Sequence, residues 1–294
     1  MSNHLTMPLD GRALIFDALP LDRESFAPFG DVIQNPQPQL HPSVASHRDS
    51  SELPFQGLVA NQGSAIKYQH VSRMINLYDQ APSGRPGIAV MNMFVCAARQ
   101  LVRSSELGQL SPGRDREQRP AGADEPRTIS RNDQDLFFPV SVLERHPYTT
   151  QTFTPLTADP DKRFLVIVAP SLPPSPADQS LPVPNTKPTS WAETRPLPGR
   201  GLPDLSRLRA FLATSEQAVT YGAGTWHAPM VALGPADTAL DFLVIQFANG
   251  EAIEDCQEVY LSSSAAQRTG SKDLLARGKS IMVRLPAITK LSKL

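Results

Sequence analysis

The chain has 294 residues, with 28 Lys and Arg against 29 Asp and Glu, a net charge of −1 and a pI near 6.6, which gives no basic face for nucleic acid or an anionic membrane surface. No apolar run reaches the roughly 18 to 20 residues of a membrane span, and the first residues lack the basic-then-apolar layout of a secretory signal. A small molecule is the partner this leaves, and the length suits one enlarged domain, expected over residues 1–294.

In chain order, the first strand candidates are ALIFDAL (13–19), AIKYQHV (65–71) and IAVMNMFVCAA (88–98). A charged stretch at about 103–135, almost free of aromatics, follows as an expected surface insertion. LFFPVSVLE (136–144), QTFTPL (151–156) and RFLVIVAP (163–170) resume the β pattern. The 29 prolines are close to twice the usual share of about 5%. They crowd into 169–203, which predicts an extended surface excursion. PDLSRLRAFLAT (203–214) places Leu205, Leu208, Phe211 and Leu212 on one helical stripe behind Asp204 as N-cap, so a helix is expected there. AVTYG (218–222), DFLVIQF (241–247) and EVYL (258–261) complete the strands. Many short strands rich in Val, Ile, Phe and Tyr predict a mainly β barrel or jelly-roll sandwich with one or two packed helices.

Cys96 and Cys256 form no CxxC pair, fit a reducing compartment and read as small core residues. The terminal Ser292-Lys293-Leu294 has the form that the peroxisomal import receptor reads, within an expected carboxyl-terminal extension, 263–294. The preceding MVRLPAITKL reads as an accessible tail that presents it. A peroxisomal matrix location is expected, with the cytoplasm as the alternative.

The chemistry concentrates in two places. In LERHPYTTQTFTPL, Glu144 and His146 are two apart, so on a strand they leave the same face while Arg145 points away. Gln151 starts the next strand, giving E-x-H-x4-Q. In YGAGTWHAPM, Gly222 and Gly224 permit turns closed to other residues just ahead of His227, and Pro229 fixes the backbone just after it. The first spacing resembles the first cupin motif, and GAGTWH resembles the second. Trp226 reads as core, and His41, His47 and His70 as surface. Glu144 has an alternative reading as the ion-pair partner of Arg145 or Arg99.

Read together, FAPFGDVI, NQGSAIKY, MNMFVCAAR, LERHPYTTQTFTPL, PDLSRLRAFL, GTWHAPM and DFLVIQFANGEAIEDCQEVYL resemble, in this order, the ureidoglycolate lyase family. The resemblance implies a cupin-like β-barrel, a homodimer, and cleavage of ureidoglycolate to glyoxylate and urea in the allantoin branch of purine breakdown. It covers neither insertion nor the carboxyl-terminal tail. The reaction needs one group to take the hydroxyl proton and another to protonate the departing urea nitrogen. His227 or His146 would serve as base, with Glu144 orienting its neighbour or handling the second proton. Lys67 would hold the substrate carboxylate, Gln151 the urea, and Asn61 and the Gly63 backbone would complete the site. Asp241 is a further binding candidate. Glu144, His146, Gln151 and His227 would also suit a divalent Zn, Ni or Mn ion, although they depart from the cupin set of three histidines and one glutamate. Ureidoglycolate amidohydrolase activity, another metal-dependent cupin enzyme and a small-molecule-binding cupin are the alternative functions.

Overall fold

The computed structural model describes residues 5–9, 14–47, 50–105, 135–185, 195–262 and 280–286. The chain is mainly β, and its large sheet curls into a half-barrel, in keeping with the cupin resemblance. The strands are β1 (Leu5–Pro8), β2 (Leu14–Pro20), β3 (Gly30–Ile33), β4 (Leu58–Ala60), β5 (Ala65–Lys67), β6 (Ile88–Ala97), β7 (Val102–Arg103), β8 (Leu136–Val140) and β9 (Val142–Arg145). They continue with β10 (Gln151–Pro155), β11 (Arg163–Ala169), β12 (Arg209–Thr214), β13 (Ala218–Tyr221), β14 (Trp226–His227), β15 (Val231–Leu233), β16 (Ala239–Ala248), β17 (Gln257–Ser262) and β18 (Ile281–Leu285).

Among the described residues the large sheet runs β1-β17-β9-β14-β11-β12-β2-β18-β8-β7, with β15 also pairing β11. Only Ser141 separates β8 from β9, yet the two strands lie toward opposite ends of this order. Chain continuity across Ser141 therefore draws the ends together and curls the sheet around an apolar core that includes Phe138, Leu143, Ile167, Trp226 and Val283. A second sheet, β3-β13-β10-β16-β6, packs on the other face. There Phe164, Val166, Val168 and Phe211 meet Phe153, Val219, Tyr221 and Phe242. β11 serves both cores, with Leu165 and Ile167 in the first and Phe164, Val166 and Val168 in the second. Its unbroken apolar run is what burial on both faces requires. β4 and β5 pair as a small sheet of their own.

Three expectations change. The helix expected over 203–214 is a single 3-10 turn, Leu205–Arg207, followed by β12. Asp204 does cap it, accepting from the Ser206 N–H at 3.1 Å. Beyond the turn, Leu208, Ala210 and Leu212 face the first core while Phe211 and Ala213 face the second. A strand held between β11 and β2 uses every one of those residues, whereas a helix would bury one stripe, so tertiary packing overrides the local signal. Among the described residues α-helix is confined to short pieces, Arg23–Phe26, Pro42–Ala45 and Ala252–Asp255.

The tail is likewise not all accessible, because Met282–Leu285 belong to β18 between β2 and β8, with Ile281 and Val283 fully buried. Alternation of Ile281, Val283 and Leu285 on one face was the available sign. The Pro-rich segment is partly interior: Asp178 and Leu181 are buried, and Ser171 bridges Pro203. The stretch 106–134 and Ser292-Lys293-Leu294 lie outside the described residues.

Candidate active site

His227 owes its position to the turn before it. Gly224 has φ +77°, a conformation that glycine alone adopts freely, and its N–H donates to the His146 carbonyl at 2.8 Å. The N–H of Gly222 and the hydroxyl of Thr225 both bond the Phe29 carbonyl, which pins the turn to the loop ahead of β3. β14 then inserts between β11 and β9, opposing His227 to Val168 on one side and to Glu144 on the other.

Cross-strand partners share a face, so Glu144 and His227 meet, with 3.5 Å between His227 Nε2 and Glu144 Oε1. The His146 and His227 rings lie 5.6 Å apart. One ligand atom from each of Glu144, His146 and His227 falls within 4.8 Å of the other two. Both histidines are buried, and Glu144 is nearly so.

The backbone fixes how the two rings present themselves. His227 Nδ1 lies 2.9 Å from the Thr225 carbonyl, and His146 Nδ1 lies 2.6 Å from that of Asp255. A carbonyl only accepts, so each Nδ1 carries the hydrogen, and in the neutral ring Nε2 is left as a lone pair. Both Nε2 atoms are buried without a hydrogen-bond partner among the described residues. Burial holds His146 below the ordinary histidine value, and the neighbouring His227 adds to this. For Glu144 burial works upward, but the adjacent His227 ring, and His146 to a lesser degree, outweigh it when protonated and keep the carboxyl below its usual range. Two bare nitrogens and a carboxylate thus converge on one point, where they ask for a proton donor or a cation.

Support comes from residues without an obvious sequence signal. The Tyr221 ring stacks on His227 with centroids 4.0 Å apart. Asp255 holds the loop behind His146 by accepting from Tyr78 Oη and from the Asn249 and Gly250 N–H groups. Gln151, opposite Tyr221 across β10 and β13, donates from Nε2 to Gln246 Oε1 at 2.6 Å, while its own Oε1 is buried and unpartnered among the described residues. A glutamine within the apolar DFLVIQF was the sign that could have revealed Gln246.

Arg145 faces the other way, as its parity requires. Its guanidinium lies 4.4 Å over the Trp226 ring and donates to Gln257 Oε1 and to the carbonyls of Gly199, Arg200 and Gly201. Glu144 therefore pairs with His227 rather than with Arg145 or Arg99. Cys256 lies beside Glu144. Burial and the charges of Glu144, Glu258 and Asp255 push its thiol up to about 12, so it is not a nucleophile at neutral pH.

The remaining candidates sit on other elements. Lys67 is exposed on β5, which pairs with β4 alone, and Asn61 and Gly63 form the turn between those two strands. Asp241 is exposed near the start of β16, five residues before Gln246 and so about 17 Å along the strand from it. His41 caps a short surface helix, and His47 and His70 are exposed.

The ureidoglycolate lyase family model matches residues 13–267. The chain belongs to the ureidoglycolate lyase family. It is 31% identical over 238 residues to the ureidoglycolate lyase of Schizosaccharomyces pombe, covering 81% of this chain and 86% of that one. It is 29% identical over 247 residues to the Saccharomyces cerevisiae enzyme (82% and 92%), and 27% over 226 residues to that of Burkholderia mallei (77% and 78%). All the strands that carry the converged groups lie within the family match, whereas β18 lies beyond it.

Proposed function

We propose that this protein is a ureidoglycolate lyase that cleaves ureidoglycolate to glyoxylate and urea at the Glu144, His146 and His227 cluster. The observation that carries this reading is the fixed tautomer of the two rings, which leaves both Nε2 atoms without hydrogen in a cluster where His227 Nε2 lies 3.5 Å from the Glu144 carboxylate. A substrate hydroxyl placed among them donates its proton to one imidazole as the carbonyl of glyoxylate forms. The C–N bond then breaks, and the departing urea nitrogen receives a proton from the same set. We assign the hydroxyl proton to His227, whose imidazolium Glu144 stabilises, and the orientation of the urea to Gln151. Measuring urea and ammonia released from ureidoglycolate by the purified chain is the test. Urea is expected; ammonia without urea would make the protein an amidohydrolase, and neither product would overturn the reading.

A divalent ion such as Zn, Ni or Mn fits the same donors, because both Nε2 atoms and Gln151 Oε1 are buried without partners among the described residues and the histidines are already in the ligating tautomer. Glu144, His146, His227 and Gln151 would hold it, and when bound it would polarise the substrate hydroxyl. Elemental analysis, with activity before and after chelation, checks this.

We also propose that the protein is a homodimer and that β6 is its contact surface. β6 is the terminal strand of its sheet, and it exposes Ile88, Met91, Met93, Phe94 and Val95. A strand apolar on both faces, with no further strand beside it among the described residues, calls for one, and a second copy supplies a self-complementary strand. Ser292-Lys293-Leu294 is proposed as the signal for the peroxisomal import receptor. Fluorescent fusions with and without these three residues test it, the shortened form being expected in the cytoplasm.

A further inference from the structure

A cavity of about 240 Å³ opens where β8 passes into β9, and it adjoins the catalytic cluster without containing it. Ser141, Val142, Glu258 and Tyr260 line it together with Arg99 and Phe138. Glu258 links the two: it stands directly opposite Glu144 across β17 and β9, and one carboxylate oxygen of each falls within 4.8 Å of the other. Tyr260, opposite Val142 in the next same-face pair, extends that wall away from the cluster.

Arg99 is the only cation lining the cavity among the described residues. Its backbone is tied to Ala232 by an N–H to carbonyl bond at 2.9 Å, and its guanidinium lies 5.3 Å from the Phe138 ring centre. No ion pair to Arg99 occurs among the described residues. A guanidinium beside a ring face, exposed at the cavity and lacking a carboxylate among the described residues, is a ready partner for one.

We infer that the substrate lies between this cavity and the cluster, with Arg99 taking its carboxylate and Glu258 accepting its ureido N–H groups. The assignment deepens the lyase reading and rests on the placement of the reaction at Glu144 and His227. Ureidoglycolate is an anion with several N–H donors at its other end. The cavity offers a cation, Arg99, and one carboxylate, Glu258, which stands next to the cluster. Lys67, on its separate small sheet, does not line this space. The specificity this implies is for small 2-hydroxy acids bearing a ureido group, with loss of the carboxylate weakening binding most.

The test compares wild type with Arg99→Met and Arg99→Lys in the full chain. Arg99→Met keeps the apolar contact on Phe138, so the expected result is KM for ureidoglycolate raised about tenfold or more, an unchanged melting temperature, and a smaller defect for Arg99→Lys. Val142→Phe fills the cavity from its wall with Arg99 intact, and it must raise KM as well; it decides the matter if Arg99→Met does not fold. Unchanged KM in the folded variants overturns the assignment. If wild type releases neither urea nor ammonia, the lyase reading fails separately, and oxamate binding by calorimetry then judges the cavity. Binding by wild type that Arg99→Met abolishes supports a carboxylate site, and no binding by wild type overturns it.

Discussion

Two parts of this molecule invert the ordinary partition of residues, in opposite directions. β9, β14 and the turn between β9 and β10 bring Glu144, His146 and His227 into the interior, where His227 is 1% exposed. β6, at the rim of the second sheet, leaves Met91 and Val95 about 70% exposed. Buried polar groups and contiguous exposed apolar groups are the informative departures from the usual arrangement. In the interior the departure is tightly specified: carbonyls of Thr225 and Asp255 fix the rings and leave particular lone pairs open. On β6 nothing is specified beyond shape and apolarity, which is all that the proposed contact with a second copy requires. β11 sharpens the point, since it is equally apolar on both faces yet is covered on both by its own chain.

If the interior inversion serves chemistry, removing it should cost turnover and little else. His227→Gln is expected to lower kcat about 10²- to 10⁴-fold, the range of a lost general base, with the fold retained by circular dichroism. Near-normal urea release would make His227 a structural histidine. Arg145→Met is the matching structural case. It strands Gln257 Oε1 and the carbonyls of Gly199, Arg200 and Gly201 in the interior, and a loss of about 3 kcal/mol or more in denaturant unfolding is expected. Turnover per folded molecule should survive. Together the two substitutions separate buried polar groups that catalyse from those that hold the proline-rich segment against the sheet.

The edge is tested by charge. Val95→Asp places a carboxylate in the exposed apolar row of β6, where the single chain loses little because the side chain is already in water. Association should weaken by at least about tenfold, read as a shift from dimer to monomer in light scattering, with the melting temperature of the dilute protein nearly unchanged. A monomeric wild type, or a dimer indifferent to this change, would leave the exposed row of β6 without its proposed cover.

The contrast also explains what could be read from sequence. Strand composition and bounding Pro and Gly residues were enough for a mainly β fold, and E-x-H spacing with a glycine turn before His227 marked the residues that converge. The helix at 203–214 was misread because Leu205, Leu208, Phe211 and Leu212 satisfy a helical stripe as readily as a strand buried on both sides, and only the presence of β11 and β2 decides between them. β18 was missed because its partners, β2 and β8, are more than 140 residues away in sequence. Arg99 enters the sequence reading only as an alternative ion-pair partner for Glu144. That it lines one cavity with Glu258 depends on the bend at Ser141, which no local pattern announces.

The smallest effect expected concerns the protons that the interior excludes. Burial keeps His146 below the ordinary histidine value of 6.5 in the folded chain, while the unfolded chain titrates at that value. Below pH 6.5 the unfolded state therefore binds the additional proton first. The contribution of neutral His146 to stability is full above 6.5 and declines as pH falls toward its folded value. Glu144 is shifted in the same direction, but its loss starts only below its ordinary value of 4.5, so pH 6.5 to 4.5 isolates the histidine. In chelator-treated protein, unfolding free energy between pH 7 and 5 should fall less steeply for His146→Gln than for wild type. The difference is bounded at about 1.4 kcal/mol per pH unit. Parallel pH curves would mean that His146 keeps its ordinary proton affinity, and that the enclosure around the site admits charge as readily as the exposed rim does.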